Sequence, residues 1–164
     1  MKGLGLIYAR SLNHCIGADG GLPWSLPDEY EHFNQTTQDY PVIMGRRSYE
    51  DHDGALPNRL NIVVSQNPAL QVTEGIVLAS GLDEALKIAA AHNNQYFVIG
   101  GAGLLAEALL QADYVYETIV EATIEGDTYL PHFDFSRWDT TELIKHDIDT
   151  HHNYAFTALL HTRG

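Results

Sequence analysis

The segment Pro23-Trp24-Ser25-Leu26-Pro27-Asp28-Glu29-Tyr30 contains a carboxylate in a setting that could tune it as an acid. Glu29 falls in the first turn of an expected helix, where the dipole tolerates negative charge. At helical spacing it shares a face with Leu26 and Phe33, and Trp24 and Tyr30 add aromatic surface. Apolar neighbours disfavour the charged form and raise the pKa towards the range useful for proton transfer. Such a carboxylate can also grip an amidine-like edge with both oxygens. The other reading of the position is a plain helix-dipole partner, as Asp28 beside it would be.

Two further stretches could hold an anion. Ile99-Gly100-Gly101-Ala102-Gly103 follows an apolar run and opens a helical one, leaving backbone amides unshielded at a helix start. The same glycines would equally serve a tight strand-to-helix turn. Gly45-Arg46-Arg47-Ser48 stands at a similar junction. Adjacent arginines there oppose the dipole, which makes sense with an anion present, although a solvated pair is the alternative. Ser65-Gln66 ends the next strand and could donate beside them. Arginines near such a crevice favour a 2′-phosphate, hence NADP over NAD. The chain carries no G-x-x-x-x-G-K-[ST] motif, which argues against a nucleotide kinase.

These groups need a scaffold, and the apolar pattern supplies one. Strands are expected at 4–9, 41–45, 61–65, 76–79, 96–99 and 114–122, with a closing antiparallel pair at 140–144 and 154–161. Helices are expected at 26–37, capped by Ser25 with Pro27 in the first turn, and at 46–51, 83–92 and 104–111. Residues 13–24 read as a glycine-rich loop. Short, fully apolar strands alternating with helices indicate an α/β class with a mostly parallel sheet, helices on both faces and an antiparallel C-terminal edge. Ligands would bind beyond the carboxyl ends of the strands.

The 164 residues suit one compact domain over 1–164. A net charge of −13 cannot supply the broad basic footprint that nucleic acid requires. Apolar runs such as Leu60-Asn61-Ile62-Val63-Val64 are too short to span a bilayer, and Arg10 interrupts the first one, so neither a membrane span nor a signal peptide is expected. The single Cys15 excludes an internal disulfide and fits a reducing, cytoplasmic setting. The nine histidines, including His151-His152, lack HExxH or CxxC companions, and no metal site is expected.

Six pieces in register resemble the dihydrofolate reductase family over essentially the whole chain. They are Ile16-Gly17, Leu22-Pro23-Trp24-x-Leu26-Pro27, Pro41-Val42-Ile43-Met44-Gly45-Arg46, Leu56-Pro57-Asn58-Arg59-x-Asn61, Val98-Ile99-Gly100-Gly101 and Glu125-Gly126-Asp127-Thr128. The resemblance implies an eight-stranded sheet and NADPH-dependent reduction of dihydrofolate, with only small-molecule partners and a monomeric state. It assigns catalysis to Glu29, Trp24, Thr118 and Leu22, with Trp24 holding a water near the acid and Thr118 hydrogen-bonded to its carboxylate. Ile7, Tyr8, Tyr30, Phe33, His52, Leu56 and Ile99 match the substrate pocket, together with Glu29 and Thr118. Arg59 matches the arginine that grips the substrate's α-carboxylate.

On the cofactor side the resemblance implicates Ala9, Ile16, Gly17, Gly45, Arg46, Arg47, Ser48, Ser65 and Gln66. It adds Gly100, Gly101, Ala102, Gly103 and Leu104, with a cis peptide joining Gly100 to Gly101. The loop 16–24 would be a mobile flap, freed by Gly17, Gly20 and Gly21. Three positions depart from the family pattern: Leu105 replaces a usual tyrosine, His52 a usual aliphatic, and Gly103 a frequent basic residue. A related reductase acting on a ribosylated pyrimidine, which would not need Arg59, is one rival reading. A silent NADPH- or folate-binding protein, suggested by Leu105, is the other.

Overall fold

The computed structural model describes residues 1–51, 55–67, 69–70 and 72–163. Strand β1 (Gly3–Ser11) lies inside an eight-stranded sheet. Its neighbours in sequence are β2 (Cys15–Gly17), helix α1 (Pro27–Thr37), β3 (Val42–Gly45), α2 (Arg46–Asp51) and β4 (Asn61–Val64). Then come β5 (Ile76–Ala79), α3 (Leu82–His92), β6 (Gln95–Gly100), α4 (Ala102–Leu109) and β7 (Tyr114–Val120). The chain finishes with β8 (Thr128–Tyr129), β9 (Trp138–His146) and β10 (Phe156–Arg163).

The sheet order is β5-β4-β3-β6-β1-β7-β10-β9. The six strands from β5 to β7 are parallel, and β10 and β9 add the antiparallel edge. Alternation along each strand feeds two cores. Leu4, Leu6, Ile43, Ile62 and Val98 meet Leu82, Ala85 and Ala89 of α3 and Leu105 and Ala108 of α4. On the opposite face Ile7, Val42, Met44, Val63 and Phe97 meet Phe33 of α1 and Tyr49 of α2. Helices therefore cover both faces, as the apolar strands require. Gly5 pairs with Tyr114, and a Cβ on it would stand 2.3 Å from that ring, so the glycine makes room for a buried aromatic side chain.

Beyond shifts of two residues at the ends of β7, β9 and β10, the structure corrects three sequence expectations that bear on the site. The start of α1 is capped differently: Leu26 occupies the N-cap position without a side-chain cap, and Ser25 is exposed. The orphan amide of Asp28 donates instead to His152 Nε2 at 3.1 Å, a partner 124 residues away. Helix α4 begins two residues early, at Ala102, because Gly101 is already extended as its N-cap. The loop 13–24 contains β2, which pairs with β8. Among the described residues no helix is long and apolar enough to cross a membrane.

One buried polar knot ties β1, β7 and β10 together. Glu117 accepts from Tyr8 Oη at 2.8 Å, Arg10 Nε at 3.0 Å and His161 Nε2 at 3.1 Å. Burial alone would push this carboxyl up, but the His161 hydrogen bond, the Arg10 charge and the Tyr8 hydroxyl outweigh it and hold the pKa at about 2. A depressed carboxyl contributes stability that is present above its unfolded value of 4.5 and is lost as pH falls towards 2. We expect Glu117→Gln to remove roughly 3 kcal/mol at neutral pH and to flatten the acid limb between those values. Urea melts across the pH range check this, and an unchanged acid limb would refute it.

Candidate active site

A cleft of about 700 Å³ opens at the carboxyl ends of the parallel strands. Its floor is Ile7, Tyr8 and Ala9 of β1 and Ile99 of β6. Helix α1 contributes Glu29, Tyr30 and Phe33, and the flap contributes Ile16, Gly17, Leu22 and Trp24. A side pocket of about 400 Å³ shares Leu22, Trp24, Glu29 and Tyr30 with it.

Glu29 is 8% exposed, and no side chain hydrogen-bonds to its carboxylate among the described residues. Burial is the cause that raises its pKa from 4.5 to about 7. Leu26 and Trp24 are buried beside it in sequence, and Trp24 Nε1 is a buried donor without a protein acceptor. Such a donor at the margin of a polar cleft fits a bridging water. Thr118 is buried within β7, opposite Ala9, but makes no hydrogen bond to Glu29 and does not line the cleft. That expected hydrogen bond is not formed here.

The other end of the cleft is built from glycine. Gly100 and Gly101 are joined by a cis peptide, and Ala102 and Gly103 open α4 with no side chain capping its first turn. The free amides there, with Ser48 of α2 against the turn and Arg47 beside it in the lining, form a setting for a phosphate. A Cβ on Gly100 would stand 2.9 Å from Ser48 Oγ, so the cradle needs glycine. This donor set fits a dinucleotide. Gly45 faces the same turn, since its Cβ would lie 3.8 Å from the Gly101 amide.

Several expected residues stand outside the cleft lining. Arg46 is exposed and lies 3.5 Å from Glu50. Ser65 and Gln66 follow β4, with Ser65 Oγ accepting from the Asn67 amide. Leu104 packs into the core beneath α4, and Leu56 is buried in the α1-side core. Arg59 donates from Nε to Pro57 O at 2.8 Å, from Nη1 to Thr37 Oγ1 at 2.7 Å and from Nη2 to Asn34 Oδ1 at 2.5 Å. This brace ties the guanidinium to the C-terminal half of α1. His52 lies outside the described residues.

The sequence reading passed over Asp51, Ala18, Asp127 and Thr128, which also line the cleft. Asp127 and Thr128 stood in a quoted motif, whose pairing with the flap was the available signal. Asp127 donates its amide to Gly17 O at 3.0 Å and accepts the Asp19 amide at 3.0 Å. Gly126 presses so close that a Cβ on it would meet Gly17 O at 2.3 Å. The flap is thus hydrogen-bonded to the strand opposite, and of its three glycines only Gly20 has a positive φ.

The family model for dihydrofolate reductase matches residues 3–163. The chain belongs to the dihydrofolate reductase family. Among its relatives, a type 3 dihydrofolate reductase of Salmonella typhimurium is 40% identical over 152 residues, 93% of each chain. The dihydrofolate reductase of Bacillus subtilis is 34% identical over 160 residues, 98% of this chain and 94% of its own. The structure of an Enterococcus faecalis dihydrofolate reductase complexed with NADP(H) and RAB-propyl superposes with a TM-score of 0.91 at 30% identity, covering 98% of this chain and 96% of that one. Against the family pattern, Leu105 is 1% exposed and turns an apolar side chain to the cleft, whereas Gly103 is open to solvent.

The unpartnered Glu29 has a consequence for stability. A carboxyl whose folded pKa is raised binds its proton more tightly when folded, so stability falls as pH rises from 4.5 through 7. We expect Glu29→Gln to gain on the wild-type chain by up to roughly 3 kcal/mol above pH 8, a gain that vanishes below about pH 4. Denaturant melts of the two proteins without ligand check it, and a pH-independent difference would contradict it.

Proposed function

We propose that this chain reduces 7,8-dihydrofolate to 5,6,7,8-tetrahydrofolate with NADPH, supporting one-carbon metabolism, through a site centred on Glu29. The observation that carries this is one crevice with a buried, unpartnered carboxyl at one end and an uncapped glycine turn at the other. Ile7, Tyr8, Tyr30, Phe33, Leu56 and Ile99 form the substrate's apolar surround, with Arg59 taking the tail carboxylate. Gly100, Gly101, Ala102 and Gly103 hold the dinucleotide with Gly45, Arg46, Arg47 and Ser48, joined by Ala9, Ile16, Gly17, Ser65 and Gln66. We read residues 1–164 as one domain, working as a cytoplasmic monomer on small molecules.

When bound, NADPH supplies the hydride, which goes to C6 of the pterin while N5 takes a proton. The protein's share is positioning and proton control. Glu29, tuned near neutrality, binds the pterin's amino edge and governs proton supply to N5 through water held at Trp24. Leu22 and the pinned flap exclude bulk solvent.

Mixing the chain with NADPH and dihydrofolate should give a loss of nicotinamide absorbance that requires both, and no loss would leave a silent binding protein. Glu29→Gln should bind folate but lose roughly 10²–10⁴-fold in kcat at neutral pH; full activity across the pH range would remove Glu29 from proton supply. Arg59→Ala should raise KM roughly 30-fold, about 2 kcal/mol, with kcat little changed, because a carboxylate clamp binds ground and transition states alike. An unchanged KM would favour a substrate without the glutamate tail.

A further inference from the structure

Outside the cleft, the start of α1 meets the β9–β10 connection through Asp28, His146, His152 and Asp149. We propose that Asp28, His146 and His152 form a site for a divalent transition cation of the zinc class. One donor atom from each lies within 4.8 Å of the others. Asp28 Oδ2 is 2.8 Å from His146 Nε2 and 3.8 Å from His152 Nε2. A tetrahedral ion with bonds near 2.0–2.1 Å keeps its donors roughly 3.3 Å apart, so these spacings straddle the required one.

The proton pattern of both rings favours an ion. His146 Nδ1 lies 2.7 Å from the Asp147 carbonyl, which can only accept, so the ring's proton sits there. His152 Nδ1 lies 2.8 Å from Asp149 Oδ1, and its Nε2 accepts the Asp28 amide, which fixes the same tautomer. The Nε2 edge of His146 therefore faces the Asp28 carboxylate, and the Nε2 lone pair of His152 faces the Asp28 amide beside it. A carbonyl or carboxylate behind each imidazole is the arrangement that orients histidine ligands in metal sites. His146 also lies parallel to the Phe156 ring at 5.0 Å, and the two imidazole centroids are 4.2 Å apart, so little ordering is left to do.

A lone pair and a carboxylate oxygen 2.8 Å apart need a cation between them, either a proton or a metal ion. Two imidazoles and one carboxylate suit zinc-class ions rather than magnesium or calcium, which prefer oxygen. Asp149 stands behind the site, its Oδ1 2.8 Å from His152 Nδ1, and the fourth position would fall to water. The ion would take the His152 lone pair from the Asp28 amide, and that amide sits on an exposed residue where water can replace it. Asp28 and Glu29 are adjacent, so the ion would fasten the turn bearing the active-site acid to the far edge of the sheet.

The chelator-treated full chain is titrated with Co²⁺ and with Zn²⁺, following visible d–d absorption and calorimetry. We expect one ion per chain and a rise in Tm with metal concentration. Asp149→Asn should weaken binding roughly 10–100-fold, and His146→Ala and Asp28→Ala should weaken it more. His151→Ala should bind as the wild type does. Absence of saturable one-to-one binding, or affinity unchanged in both His146→Ala and Asp28→Ala, overturns the proposal and leaves a proton as the bridging cation.

Discussion

A carboxyl group held out of water without a cationic partner resists ionisation, and Glu29 is held in that way. Its pKa near 7 reflects burial alone, so it depends on every element that keeps solvent and charge away. Pro27 fixes the entry of α1, Leu26 and Trp24 pack on its near side, and His152 takes up the amide of Asp28. Loosening any of them would let water reach the carboxyl and lower its pKa towards the ordinary value. The folded chain thus carries an unfavourable charge at neutral pH, and a bound heterocycle with donors on one edge would relieve it.

The second requirement is that the acid and the glycine turn open on one crevice. Parallel pairing meets it. Strands β1, β3, β4 and β6 run side by side in one direction, so Ala9, Gly45, Ser65 and Gly100 all fall at the same end of the sheet. Each strand then turns into a loop or helix there, and the crevice forms where the connections part. Helices α1 and α2 lie on one face and α4 on the other, so the acid and the glycine turn approach the crevice from opposite faces.

Much of this was legible in the sequence because it is local. The helix at 46–51 and the strand at 76–79 have their expected bounds, set by short apolar runs and their polar stops. Glu29, its apolar neighbours and the glycine turn are also local patterns, and the cleft brings them together. What was not legible rests on contacts between distant residues. The flap's strand needs Thr128 and Tyr129 beside Cys15 and Gly17, and the cap on α1 needs a histidine from the last connection. No propensity at Ser25 could reveal that competitor. Asp51 was missed for the same reason: it enters the cleft only because α2 folds back against the flap, where it lies 3.4 Å from the Cβ position of Gly20.

Two buried glutamates, on β7 and α1, have opposite fates, and the placement of arginine explains why. Glu117 sits among Arg10, His161 and Tyr8 and stays ionised to about pH 2. Glu29 meets no such group among the described residues, and the arginines outside the cleft are engaged elsewhere. Arg10 is held by Glu117, Arg59 by Thr37, Asn34 and Pro57, and Arg163 by the Ala112 and Leu109 carbonyls under the Trp138 ring. Arg47 lines the cleft together with the glycine turn. Had Arg10 reached into the crevice, Glu29 would be a permanent carboxylate and poor at handling a proton near neutrality. The knot on the α4 side of the sheet thus fastens three strands around a carboxylate that stays charged, while the α1 side holds one with no charge to meet it.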